Sequence, residues 1–241
     1  MAETHADWLR EMEAKSRAKQ SAFVGGISQR LGRPRPTDAP AQPFRGAPEF
    51  WRGFEWTPEE RIERFAGNWR SVGGHVARLP DMDAVREFIA GKAAEMGARY
   101  IVRQNEPELA ALGLEEALPE AQVSVWNTDP DICWKARSAE ADFGVVMADY
   151  AAAYTGSVAV LSSKDKGRSV SLLPTVLMIV LPVERLRTRL GEVLTEFDRA
   201  GRKRLPAGIH FISGPSRSSD IENDLTIGVH GPGVVYALIV G

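Results

Sequence analysis

From Gly73 onward the chain switches regularly between two apolar periods, and that alternation restricts the folds open to it more than any other feature. His75-Val76-Ala77-Arg78-Leu79 reads as a strand. Asp81 and Asp83 then stand where a helix N-terminus favours negative charge, and Val85, Phe88, Ile89, Ala93 and Met96 recur on one helical face up to Gly97. Arg99-Tyr100-Ile101-Val102 reads as the next strand and completes a β-α-β unit. Further strands are predicted at 122–126, 143–147, 157–161, 176–181, 208–213 and 234–240. Between two of them, Pro182 opens an amphipathic helix with Val183, Leu186, Leu190, Val193, Leu194 and Phe197 on one face, closed by Gly201. Strands alternating with helices imply an α/β domain of three layers, α/β/α, around a largely parallel sheet.

The segment before this domain is different. Between Asp7 and Leu31 the apolar residues Trp8, Leu9, Met12, Phe23, Val24, Ile27 and Leu31 fall at helical spacing, interrupted by Gly25-Gly26. Residues 32–43 hold four prolines and read as an extended linker. Phe44, Phe50, Trp51, Phe54 and Trp56 follow, and aromatics in such number need a surface to cover, the main domain being the expected one. Thr57-Pro58-Glu59-Glu60 starts a helix that runs to Trp69. The chain therefore divides into an N-terminal helical arm with a Pro-rich linker, 1–56, and an α/β domain, 57–241.

Charge and cysteine content exclude several classes of function. The 241 residues carry 30 basic and 32 acidic side chains, a net charge of -2, so no field draws nucleic acid or an anionic membrane. Cys133 is the single cysteine and can build neither an internal disulfide nor a cysteine-ligated cluster. The four histidines, His5, His75, His210 and His230, are too dispersed for a recognisable metal set, so no metal is expected. The N-terminus lacks the basic and apolar regions of a secretory signal, and Pro174, Thr175 and Pro182 break the longest apolar run, 172–183. A soluble, cytoplasmic protein is expected. Neither G-x-G-x-x-G, nor a P-loop, nor G-x-S-x-G, nor H-E-x-x-H is present.

What the sequence offers instead is glycine- and hydroxyl-rich turns at predicted strand ends. They are Tyr154-Thr155-Gly156-Ser157, Lys164 to Ser169, Gly214-Pro215-Ser216-Arg217-Ser218, and Gly228 to Gly233. The third is expected to open into a helix with Ser219 and Glu222 as a capping box, where free N–H groups, a guanidinium and hydroxyls converge on one anion. Ser and Asp are equally ordinary cap residues, so the same turn is also legible as a plain connection. In open α/β sheets ligands sit outside the strand ends, which groups the turns into one site for a carboxylate or phosphate. Its candidate contacts are Thr155, Gly156, Ser157, Arg168, Gly214, Ser216, Arg217, Ser218, Asp220 and Gly231. His230, between Gly228 and Gly231, is the candidate acid or base. Lys164 and Lys166 read as solvated charges, and Asp220 as favouring the helix N-terminus.

The order T-G-S, G-R-S-V-S-L-L-P, I-S-G-P-S-R-S-S-D-I-E, G-V-H-G-P-G resembles the LUD domain of the lactate utilization protein C family (LutC, YkgG-like), over roughly residues 70 to 241. The resemblance implies an α/β/α fold similar to the NagB/RpiA/CoA-transferase superfamily. It also implies a cytoplasmic role in oxidising L-lactate to pyruvate, beside partner subunits that carry the iron–sulfur clusters, with no cofactor in this chain. One departure stands out: Tyr154 occupies the place where the family is expected to have an acidic residue before T-G-[ST]. The leading reading is thus an accessory or substrate-handling subunit that binds a small anionic ligand. The rival is a free-standing transferase or ligase acting on a CoA ester or nucleotide, which needs a carboxylate nucleophile that position 154 lacks. A third is a scaffold whose working part is the aromatic N-terminal segment.

Overall fold

The computed structural model describes residues 2–34, 53–219 and 225–241. The chain divides into two compact units, residues 1–54 and 55–241. Among its described residues the first contains one helix, α1 (Ala2–Arg30). Gly25 and Gly26 break its apolar pattern without breaking the helix. Phe44, Phe50, Trp51 and the linker from residue 35 on lie outside the described residues.

In the second unit the caps read from the sequence are in place. α2 (Pro58–Ser71) starts at Thr57, whose hydroxyl accepts from Glu60 N while the Glu60 carboxylate accepts from Thr57 N. After β1 (His75–Leu79), α3 (Met82–Met96) starts at Asp81, which accepts from Ala84 N at 2.8 Å, and ends at Gly97 in the left-handed region. There follow β2 (Tyr100–Arg103), the single turns α4 (Pro107–Ala110) and α5 (Leu114–Ala117), β3 (Gln122–Val125), α6 (Trp134–Glu140) and β4 (Phe143–Met147). Next come β5 (Tyr150–Ala152), β6 (Ser157–Leu161), α7 (Arg168–Leu172), β7 (Val176–Pro182), β8 (Leu186–Arg187) and α8 (Leu190–Ala200). β9 (Ile209–Ile212), β10 (Arg217–Ser219), β11 (Leu225–Ile227) and β12 (Val234–Val240) complete the unit.

The central sheet has the order β1-β12-β7-β4-β2-β3, with every neighbouring pair parallel. Its middle strands are apolar on both faces, as the period of two requires when both sides are covered. Val176, Met178 and Val180 of β7 point to one face, with Val85, Ile89 and Ala93 of α3. Leu177, Ile179 and Leu181 point to the other, with Ile62, Phe65 and Trp69 of α2. Trp56 packs against this second cluster as well.

Two local expectations give way to tertiary pairing. β6 and β9 leave the parallel sheet and join a second one, β8-β5-β6-β9, which shares the core with α2. Pro182 closes β7 rather than opening a long helix, because Leu186 pairs with Ala151 in the small sheet and is buried there, so α8 begins only at Leu190. Arg217–Ser219 pairs antiparallel with Leu225–Ile227, and the helix expected to follow Ser219 falls outside the described residues. Asp220, Ile221 and Glu222 lie outside the described residues.

Candidate functional site

The parallel sheet has a switch point. From β2 the chain runs outward to β3 at the edge, whereas from β4 it runs inward to β7, so beyond the adjacent carboxyl ends of β2 and β4 the connections diverge. Polar side chains collect there. Gln104, fully buried behind β2, accepts from Met147 N at 3.1 Å. Arg103 pairs with Glu115 at 2.6 Å. Lys166 Nζ donates to Asp149 Oδ1 at 2.6 Å and Oδ2 at 2.7 Å, and lies 3.3 Å from Glu106 Oε1. Asp149 Oδ2 also accepts from Leu161 N. Glu106 Oε2 is buried with no hydrogen-bond partner among the described residues. Burial pushes the Glu106 carboxyl above the ordinary carboxylate range; Lys166 opposes the shift and Asp149 adds to it.

Lys166 corrects the reading of Lys164 and Lys166 as solvated charges. Lys164 is exposed as expected, but Lys166 is 8% exposed. The turn folds back over the strand ends because its backbone is held from two sides. Asn105 N donates to Asp165 O, and Trp126 Nε1 and Asn127 Nδ2 both donate to Lys164 O. Gly167 sits under the Trp126 ring, where any Cβ would overlap the indole. No local signal marks Lys166: its anchor, Asp149, is 17 residues away.

Three of the four turns adjoin, near the amino ends of β1, β7 and β12, whereas the 164–169 turn lies at the carboxyl ends of β2 and β4. Ser157 Oγ and Ser213 Oγ are 2.7 Å apart, Ser216 N donates to Pro232 O at 2.9 Å, and Gly228 N donates to Ser216 O at 3.0 Å. A Cβ on Gly231 would lie 3.2 Å from Ser216 Cβ and 3.8 Å from Leu172 O at the end of α7. Several predicted contacts are occupied with holding the turns together. Gly156, at φ 55°, lies against Asn68 and Trp69 of α2, and Asn68 Nδ2 donates to Ala153 O and Tyr154 O. Thr155 Oγ1 faces Ala152 O at 3.5 Å. Gly214, at φ 91°, leaves room for Val72, whose carbonyl accepts from Arg217 Nη2 at 2.6 Å. Arg217 thereby covers the C-terminus of α2, where a cation is favoured. Ser218 pairs with Thr226 across the β10/β11 ribbon. Arg168 differs: it is exposed, its carbonyl accepts from Ser171 Oγ, and its guanidinium makes no ion pair or hydrogen bond among the described residues. His230 is exposed on its turn.

Sequence reasoning passed over His210. Its Nε2 is 3.0 Å from Ser162 Oγ, and burial, with Arg168 adding repulsion, holds the ring below the ordinary histidine range. A depressed folded-state value means the stability carried by neutral His210 is present above the unfolded value and is lost as pH falls through the folded one. His210→Gln is therefore expected to flatten the loss of melting temperature below pH ~6.5, checked by thermal melts across pH 7.5 to 5. An unchanged slope refutes the assignment.

Among the described residues no three His, Cys, Asp or Glu side chains gather so as to hold a metal, and the exposed Cys133 supplies no ligand set for an iron–sulfur cluster. No described helix is long and apolar enough to cross a membrane.

Comparison with known proteins gives the family. The LUD domain model matches residues 62–240. Lactate utilization protein C of Halalkalibacterium halodurans is 33% identical over 217 residues, covering 89% of this chain and 94% of that protein. Lactate utilization protein C of Bacillus subtilis is 28% identical, covering 88% and 92%, and YkgG of Escherichia coli is 30% identical, covering 90% and 96%. In fold, the chain is similar to a DUF162 family protein from Deinococcus radiodurans, with a TM-score of 0.57 at 17% identity over 77% of this chain and 99% of that one. The switch-point sheet, the adjoining glycine- and serine-rich turns and the family match over residues 62–240 thus converge, and the chain belongs to the LUD domain family.

Proposed function

We propose that this chain is an accessory, substrate-handling subunit of a system that uses L-lactate, and that it holds a small carboxylate or phosphate at the guanidinium of Arg168. The relatives named for lactate utilization support the system, and the exposed Arg168, whose guanidinium has no partner among the described residues and whose charge reaches His210, carries the ligand reading. Oxidising lactate to pyruvate removes two electrons and two protons, and one exposed cysteine offers this chain no cluster to receive the electrons. Iron–sulfur partner subunits take that part.

Isothermal titration with L-lactate, pyruvate and inorganic phosphate tests the site. Arg168→Ala is expected to weaken the ligand that binds by roughly 10- to 100-fold, the loss of one charge-assisted hydrogen bond, with the melting temperature unchanged. Arg217→Ala is expected to lower the melting temperature, because its guanidinium covers the end of α2. Silence with all three ligands in the unaltered chain, or undiminished binding by Arg168→Ala, overturns the reading.

One observation favours the rival. Glu106 places at the switch point a buried carboxyl beside a lysine, the kind of nucleophile that position 154 lacks. A transferase would show acyl-CoA turnover that Glu106→Gln abolishes; absence of turnover in the unaltered chain removes this reading and leaves the first.

A further inference from the structure

The first unit carries a feature that none of this uses. α1 is 29 residues and so about 43 Å long, and its large apolar side chains are exposed: Trp8, Leu9, Met12, Phe23 and Ile27, from 42% to 71%. They share one stripe, since Leu9 and Ile27 are eighteen residues apart, about five whole turns, and Met12 and Phe23 eleven, about three. The stripe is divided. One apolar cluster lies at each end, and Ser16 and Gln20 lie between.

Charge divides at the same place. Residues 2–14 hold four acids and one arginine, whereas residues 15–34 hold five basic residues and no acid. Asp7, Glu11 and Glu13 pair within the helix with Arg10, Lys15 and Arg17, but Lys19, Arg30 and Arg33 make no ion pair among the described residues. A helix of this kind needs a partner for its stripe. Gly25 and Gly26 each cost about 1 kcal/mol relative to Ala in a helix interior, and the stability of protein helices comes mainly from packing an apolar face.

We propose that α1 is a dimerisation element that pairs antiparallel with α1 of a second copy of this chain about a two-fold axis beside Ala18. About that axis Leu9 falls opposite Ile27 of the other copy, Met12 opposite Val24, and Ser16 opposite Gln20, so each apolar cluster meets its counterpart. The acidic half of each helix lies along the basic half of the other, and the interface is self-complementary, as two-fold symmetry demands. Parallel pairing would set basic half against basic half.

Sedimentation equilibrium of the full chain is expected to show a dimer, and Leu9→Glu or Ile27→Glu a monomer whose α/β unit melts unchanged. Cysteine pairing in a Cys133→Ser background fixes the direction. Met12→Cys combined with Val24→Cys should give a covalent dimer on mild oxidation. Met12→Cys alone should not, because antiparallel pairing leaves the two copies of residue 12 about 18 Å apart. A monomeric unaltered chain, a dimer indifferent to both Glu variants, or a disulfide between two copies of residue 12 each overturns the proposal; a monomer would leave the stripe to another subunit or to the chain's own domain.

Discussion

Replacing Lys166 by Met is expected to destabilise the α/β unit by about 3–5 kcal/mol at neutral pH, the cost of removing one partner from a buried ion pair. The ammonium is nearly enclosed and is the only cation the structure sets against both Asp149 and Glu106 among the described residues. Without it two carboxyl groups share a poorly solvated site, and the Glu106 carboxyl, already raised by burial, loses the cation that opposes that shift. The sign follows. A carboxyl raised in the folded state contributes fully below its unfolded pKa, and that contribution is lost as pH rises through the folded one. The deficit of Lys166→Met should therefore be largest near pH 7.5 and shrink toward pH 4.5. Urea melts at the two pH values measure it. Asp149→Asn in the Lys166→Met background should recover part of the loss at neutral pH, since it leaves one carboxyl instead of two. A deficit under 1 kcal/mol, or one independent of pH, would mean that Lys166 is in effect solvated.

Gly144→Ala is expected to prevent normal folding of the central sheet, or to lower stability by about 3 kcal/mol or more, at or beyond the upper end of overpacking costs. Gly144 lies in β4 between β2 and β7, and its face is covered by α7 and Pro174. A Cβ there would overlap the Val170 carbonyl oxygen and come within 2.9 Å of Pro174 Cγ. Neither neighbour can yield as a flexible side-chain tip could: one is backbone, the other a ring. Gly91→Ala is the control. It lies on the exposed side of α3 with nothing within 4 Å of a new Cβ, so it should stabilise by about 1 kcal/mol through helix propensity. Denaturant midpoints of the two variants separate strain from propensity. A mild effect at Gly144 would show that α7 does not pack on β4 as described.

Much of the fold was legible because it is encoded within a few residues. Thr57 and Glu60 cap α2 as read, Asp81 and Gly97 bound α3, and the run from Val176 announced a strand buried on both faces. The adjacency of three glycine- and serine-rich turns was also legible, since strand ends of one α/β domain gather on few sides, but the 164–169 turn lies apart from them. The role of each turn was not. Arg217 reads from the sequence as an anion ligand, and its guanidinium donates to Val72 O, 145 residues away.

By itself, then, the sequence of this protein determined the two-period pattern, the helix caps, the parallel core strands and the lack of a cysteine framework. These depend on backbone preferences and on apolar spacing over one or two turns of chain. Only the tertiary structure decided that β6 and β9 form a second sheet, that Leu186 is strand rather than helix, and that Lys166 is buried between Asp149 and Glu106. Each of these outcomes depends on which distant segment arrives alongside. The free energy of pairing a strand or neutralising a buried charge exceeds the few tenths of a kcal/mol by which local propensities differ.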